Sequence, residues 1–278
     1  MHRYNLKILG LSETRWTGTG RMRLKSGDTI IYSGYEEGQP HMHGVGLLMK
    51  PEATRALLSW EPVSPRIITA RFNSKGRKVT ILQCYAPTNT ADEEVKEDFN
   101  EQLQAVLDKT PRRDLKILMG DLNAKVGTHN SDREVIMGKH GTGVQNENGE
   151  LFAEFCTSND LVIGGTIFPH KTIHKTTWTS PDGRTANQID HITIGRKWRR
   201  SLLNVRVMRG ADVASDHHLV MAALKIKLKA YRDQAERPSH KYNVYCLTET
   251  EKTTAFRCKL RNRFSALDTL PDETIEDH

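Results

Sequence analysis

Six short segments rich in β-branched and aromatic residues fill the first part of the chain: Lys7–Leu11, Thr29–Ser33, Val45–Met49, Ile67–Phe72, Val79–Tyr85 and Leu115–Met119. Turn-forming residues bound them, and mostly no helix separates them, which predicts a sheet-built protein. From Asp92 the period changes. Val95, Phe99, Leu103, Val106 and Leu107 recur at helical spacing, and Pro111 lies just past the end. A second amphipathic stretch, Asn148–Asn159, puts Leu151, Phe152 and Phe155 on one face, with Asn159 as a candidate stop. Further strands are expected at Leu161–Ile163, Thr176–Thr179, Gln188–Ile194, Val205–Met208 and Leu219–Ile226. Many strands with few long helices suggest two sheets packed together with helices outside them, within the α+β class.

From Ala230 the sequence turns polar, with Pro238 and Ser239, before a possible amphipathic helix over Glu249–Leu267 that keeps Phe256, Leu260 and Phe264 in register. Residues 1–229 therefore read as one domain and 230–278 as a linker and tail. The net charge of +7 belongs to the domain, because the tail holds eight Lys/Arg against nine Asp/Glu. A basic excess favours polyanions without choosing among them. No apolar run approaches a membrane span or a signal peptide, so the expected location is nuclear or cytoplasmic and not secreted. Cys84, Cys156, Cys246 and Cys258 form no Cys-x-x-Cys pair and read as reduced thiols.

Acidic and imidazole groups stand at the strand ends. Glu13 follows the first strand, Asp121 and Asn123 follow Ile117–Met119, Asp190 interrupts an apolar strand, and Asp216-His217 follows a loop. Each has a plain structural explanation. Glu13 reads as a solvated residue, Gly120-Asp121-Leu122-Asn123 as a turn, and His217-His218 as a surface pair. Asp190 is different, because a carboxylate between Ile189 and Ile192 is costly unless paired or solvated in a cleft. His217 is its natural partner, since an Asp on one imidazole nitrogen fixes the tautomer and favours the charged ring.

Taken in order, Ser12-Glu13-Thr14, Tyr85-Ala86-Pro87, Gly120-Asp121-Leu122-Asn123, Ile189-Asp190-His191 and Ser215-Asp216-His217 resemble the signature of the endonuclease/exonuclease/phosphatase superfamily. The style of Leu11–Gly18 and Asp182–Ile194 is most similar to the apurinic-type endonuclease domain of non-LTR (LINE) retrotransposons and to the craniofacial development protein 2 group. The resemblance covers roughly residues 1–228. It implies a deoxyribonuclease I-like, four-layer α/β/β/α sandwich.

The family's first strand carries a Trp-Asn or similar pair and is followed by a helix. Only Met1–Asn5 precede the strand leading to Glu13, so the expected fold lacks that first strand and helix. The stretch from Phe256 to Leu267 resembles the connector that precedes a reverse transcriptase in such proteins.

The resemblance also implies roles. Glu13 would be the principal metal ligand and Asp216 would complete the acidic cluster, with Mg2+ or Mn2+ as the ion. Asp121 and Asn123 would position and activate water, and His217, oriented by Asp190, would contact the scissile phosphate. Tyr85 would hydrogen-bond the phosphate or leaving oxygen, unless it only caps a strand. Trp178 would stack on bases or sugars, although core packing explains it equally well. Arg15, Arg184 and the Arg196–Arg200 run would touch backbone phosphates, a solvated basic face being the alternative for the run. The expected activity is Mg-dependent nicking of DNA. Two alternatives are a domesticated remnant that binds DNA or a protein without turnover, and a phosphatase or phospholipase of the same superfamily.

Overall fold

The computed structural model describes residues 1–211, 215–226 and 247–267. Two compact units are present, Met1–Leu228 and Lys229–His278.

The first unit opens with β1 (Ile8–Ser12), β2 (Thr19–Arg23), β3 (Thr29–Ser33) and β4 (Val45–Met49), which form an antiparallel sheet in the order β1-β4-β3-β2. The short helix α1 (Pro51–Ala56), with Pro51 at its first turn where a missing N–H costs nothing, leads to β5 (Leu57–Ser64), β6 (Ile67–Ser74) and β7 (Arg77–Tyr85). Helix α2 (Glu93–Lys109) crosses over to β8 (Leu115–Asp121), which lies parallel to β7; parallel neighbours need such a crossover. After α3 (Glu147–Ser158) come β9 (Leu161–Ile163), a two-stranded ribbon of β10 (Trp178–Thr179) and β11 (Ala186–Asn187), and β12 (Asp190–Gly195). The second sheet runs β5-β6-β7-β8-β12-β9. A hairpin of β13 (Leu202–Met208) and β14 (Leu219–Leu224) completes the unit.

Alternation decides what each face of the six-stranded sheet buries. Ile67, Leu82, Cys84, Leu118 and Ile163 face α2 and α3, meeting Phe99, Leu103, Leu107, Phe152 and Ala153 in one core. Ile68, Ala70, Ile81, Ile117 and Ile194 point the other way and pack against Ile31, Leu47 and Met49 of the four-stranded sheet, together with Leu202 and Val205. A strand buried on both faces reads as a near-continuous apolar run, and β7 and β8 do. Each fully buried aliphatic side chain contributes roughly 1.5–3 kcal/mol. The α+β layering expected from the strand count is present.

Some boundaries differ from the expectation. The strand expected at Gln188–Ile194 begins at Asp190, so this carboxylate stands at the strand's first residue instead of inside it. Val95, in the apolar row of α2, is 42% exposed; the buried stripe begins at Phe99. The Arg196–Arg200 run forms a 3-10 helix, Arg196–Ser201. Cys84 and Cys156 are buried free thiols and Cys258 is exposed; Cys246 lies outside the described residues. No helix of the described residues is long and apolar enough to cross a membrane. In the second unit, α4 (Thr250–Leu267) leaves Phe256 and Leu260 exposed.

Candidate active site

Strand register builds the centre. Tyr85 at the end of β7 pairs with Asp121 at the end of β8, and Asp121 pairs with Asp190 at the start of β12, so three candidate side chains stand in one row across neighbouring strands. Cross-strand partners share a face. Gly120 allows the row to form. Its φ is 145°, and a Cβ there would strike the backbone of Cys84 on β7, so only glycine lets β8 lie this close beside Asp121.

Asp121 is 4% exposed. Its Oδ1 accepts from the backbone N–H of Asn123 at 2.9 Å, an Asx turn that places Asn123 in the left-handed region at φ 49°. The Asn123 amide nitrogen donates to the Ala86 carbonyl at 3.0 Å, tying the end of β8 to that of β7. Asn146, the N-cap of α3, supports the same turn. Its Oδ1 accepts from Gly149 N at 2.9 Å and Lys125 N at 2.8 Å, while its Nδ2 donates to the Asn123 carbonyl at 3.1 Å.

His217 meets this row from the loop before β14. Its Nδ1 lies 3.0 Å from Asp190 Oδ2, and its Nε2 lies 3.9 Å from Asp121 Oδ2. Burial alone would lower its pKa, but the hydrogen bond and charge of Asp190, with the charges of Asp121 and Asp216, outweigh burial and raise it to about 9. The ring is an imidazolium at neutral pH, donating Nδ1–H to Asp190. Asp121 goes up to about 7, driven by burial and then by the neighbouring Asp190 charge, against the stabilising Asn123 N–H and His217.

The Asp190 backbone is itself anchored, since Thr177 Oγ1 accepts from both Ile189 N and Asp190 N at 3.0 Å. Trp178, next along the chain, bridges to His217, and its indole N–H donates to Asp216 Oδ2 at 2.8 Å. It stands at the site, half-buried, and holds Asp216 as well as offering a ring face.

Glu13 enters from β1 with φ 53°, fixed by the neighbouring bonds from Thr14 N to Gly44 O at 3.1 Å and from Arg15 N to His43 O at 2.8 Å. Its charge reaches both Asp121 and the Tyr85 hydroxyl. Burial and the Glu13 charge push the Tyr85 phenol up, so it stays protonated.

Behind Tyr85 stands Arg66, which the motif reading did not single out. Its guanidinium lies 5.2 Å over the Tyr85 ring, donates to the Tyr85 carbonyl at 3.1 Å and to His43 Nε2 at 3.1 Å. Burial and that guanidinium lower the pKa of His43. Asn146 and Thr177 were missed likewise; only the Asn-before-Glu cap pattern hinted at the former.

Arg15 is an exposed side chain at the rim, 3.5 Å from Glu13. Arg184 stands apart, at the tip of the β10–β11 ribbon and 3.9 Å from Asp182.

The donor chemistry suits a hard divalent cation. Asp121 and Asp190 offer carboxylate oxygens within 4.8 Å of each other beside the His217 imidazolium, which has no free nitrogen for a metal, and Glu13 and Asp216 add carboxylates at the rim. Carboxylate oxygens are the ligands of Mg2+ and Mn2+, and the Asp190 charge that adds to burial in raising Asp121 is one that such an ion would offset.

Residues 79–221 match the family described as endonuclease-reverse transcriptase. The chain is 40% identical over 229 residues to craniofacial development protein 2 of Bos taurus and 39% identical over 229 residues to that of Tragulus javanicus, with 82% of this chain covered in each. It spans 38% and 39% of those relatives' own lengths. Among solved structures it is similar to an AP endonuclease from Archaeoglobus fulgidus, with TM-score 0.58 and 15% identity over 81% of this chain and 91% of that one. The endonuclease domain of TRAS1, a telomere-specific non-LTR retrotransposon, gives TM-score 0.52 and 16% identity over 72% and 81%. At these identities the structures speak for the fold, which is deoxyribonuclease I-like. The chain thus belongs to the endonuclease-reverse transcriptase family within the endonuclease/exonuclease/phosphatase superfamily.

Proposed function

We propose that this chain is a divalent-metal-dependent endonuclease that nicks DNA. The observation that carries the reading is the Asp190–His217–Asp121 arrangement, in which an oriented imidazolium and a carboxylate raised to about 7 share one strand-end cleft. A base with a pKa near the working pH is suited to take a proton from water as its oxygen attacks phosphorus. Asp121 has that role, and the Asn123 turn holds it in place. His217, fixed through Nδ1, presents Nε2–H to a non-bridging phosphate oxygen. The protonated Tyr85 hydroxyl, backed by Arg66, donates to the phosphate or to the departing sugar oxygen as its bond to phosphorus breaks. Mg2+ held by Glu13 and Asp216 would supply neutralisation of the phosphate charge.

The experiment is relaxation of supercoiled plasmid in Mg2+ or EDTA, comparing the wild type with Asp121→Ala and His217→Ala. Metal-dependent nicking that falls at least a hundredfold in both variants, roughly the worth of a general base, supports the reading. Nicking equal in all three proteins sinks it, and DNA binding without any nicking would leave a non-catalytic binder instead.

A further inference from the structure

We infer that a groove between β2 and α1, on the flank of the sheet away from the acidic row, binds the phosphodiester backbone of a nucleic-acid strand. The groove encloses about 450 Å³ and is lined by Arg21, Arg23, Thr29, Thr54 and Arg55.

Register makes these arginines unusual. Arg21 pairs with Ile31, which pairs with Leu47, and Arg23 pairs with Thr29, which pairs with Met49. Cross-strand partners share a face, and this face is the one that packs on the six-stranded sheet, where Ile31, Leu47 and Met49 are fully buried. On an amphipathic strand the core-side positions should be apolar and the outer ones polar. On β2 that side carries Arg21 and Arg23, both exposed, as is Met22 between them at 47%, so the edge strand offers arginines to solvent where its neighbours bury apolar residues.

Close ion pairing is absent as well, although Glu52 feels the Arg55 charge. Both acids nearby are already engaged, Glu52 by Lys7 at 2.7 Å and Asp28 by Lys50 at 3.3 Å. Among the described residues no carboxylate pairs with Arg21, Arg23 or Arg55. Three guanidiniums around one groove, none of them in an ion pair, form a planar-donor set that matches phosphate oxygens.

The groove is separate from the candidate active site. Arg23 stands level with Ile8, four residues before Ser12, and β2 lies three strands from β1, which together place it on the order of 20 Å from Glu13. At about 3.4 Å of rise per nucleotide this corresponds to roughly six steps of a strand. The proposal rests on the nuclease reading only for choosing nucleic acid among phosphate carriers.

The test is binding of a fluorescent DNA strand of about 30 nucleotides in EDTA across a salt series, so that no turnover is needed. Each phosphate contact contributes about 0.7–0.9 to the slope of log K against log salt. Arg21→Ala/Arg23→Ala/Arg55→Ala should weaken binding about tenfold or more and flatten the slope by roughly 2. The charge-conserving Arg→Lys triple should keep the slope. If the alanine triple unfolds, Arg55→Glu on the exposed helix α1 decides instead, and it must flatten the slope. Unchanged affinity and slope overturn the proposal, as would arginine-dependent binding to phosphatidylserine vesicles with none to DNA. The two readings separate cleanly: an arginine-dependent slope without nicking sinks only the nuclease, and nicking with an unchanged slope sinks only the groove.

Discussion

Nδ1 of His217 lies 3.0 Å and 3.2 Å from the two carboxylate oxygens of Asp190, so a single ring nitrogen faces both oxygens while Nε2 stays on the Asp121 side. The raised pKa of about 9, against 6.5 for a free His, makes this pair a source of pH-dependent stability. A group whose folded pKa is raised stabilises fully below its unfolded value and loses that contribution as pH rises through the folded value. In metal-free protein the contribution is therefore complete below about 6.5 and gone above about 9. Asp190→Asn should remove most of it, leaving the Asp121 and Asp216 charges, at a cost on the order of 2 kcal/mol at pH 6. Histidine titration by NMR with thermal melts at pH 6 and 10 checks this, and a His217 that still titrates near 9 in the variant contradicts it.

Tyr85→Phe removes the hydroxyl proposed to donate to the charged phosphate but keeps the ring beneath Arg66. A hydrogen bond to a charged group is worth about 1.5–3 kcal/mol, so nicking should fall about tenfold to a hundredfold with little change in melting temperature. A large loss of stability would instead mark Tyr85 as a strand cap, the reading left open by its sequence context.

Gly120→Ala adds a Cβ against the Cys84 backbone at φ 145°. We expect a loss of at least about 2 kcal/mol, read as a melting temperature lower by roughly 4–8 °C for a domain this large. Nicking should fall as well, because Asp121 is the next residue.

Asn146→Ala deletes the α3 cap and the bond to the Asn123 carbonyl together. Helix capping predicts a loss of about 0.5–2 kcal/mol. If the second bond positions the Asp121 turn, activity should drop further than stability does, whereas Asn146→Asp, which keeps the cap and loses only the amide donor, should restore stability more than activity. Equal recovery of both would remove Asn146 from the site.

The acidic motifs were legible because they stand at strand boundaries, Glu13 and Asp121 where an apolar run stops and Asp190 and His217 just where one begins. Asp190 was legible for a physical reason as well, since an Asp beside Ile189 and Ile192 asks for a partner, and His217 is there. Arg66 and His43 were not legible. They reach Tyr85 through the start of β6 and a loop after β3, and no local pattern records which distant strand a residue will meet. Strand β2 escaped for a different reason: it is mostly exposed, so it carries no apolar period to read. The core helix α2 was plain from Phe99, Leu103 and Leu107, whose spacing the burial follows.

The edge position of β1 has one more consequence. Among the described residues it pairs with β4 alone, while β3 is bonded on both sides. Amide hydrogens on the unpaired edge of β1 should therefore exchange with deuterated solvent well before those of β3, and opening of this edge need not wait for global unfolding. Glu13 directly follows β1, so exchange along that edge reports on the strand that carries it, while the bonds from Thr14 N to Gly44 O and from Arg15 N to His43 O hold the turn at Glu13 itself.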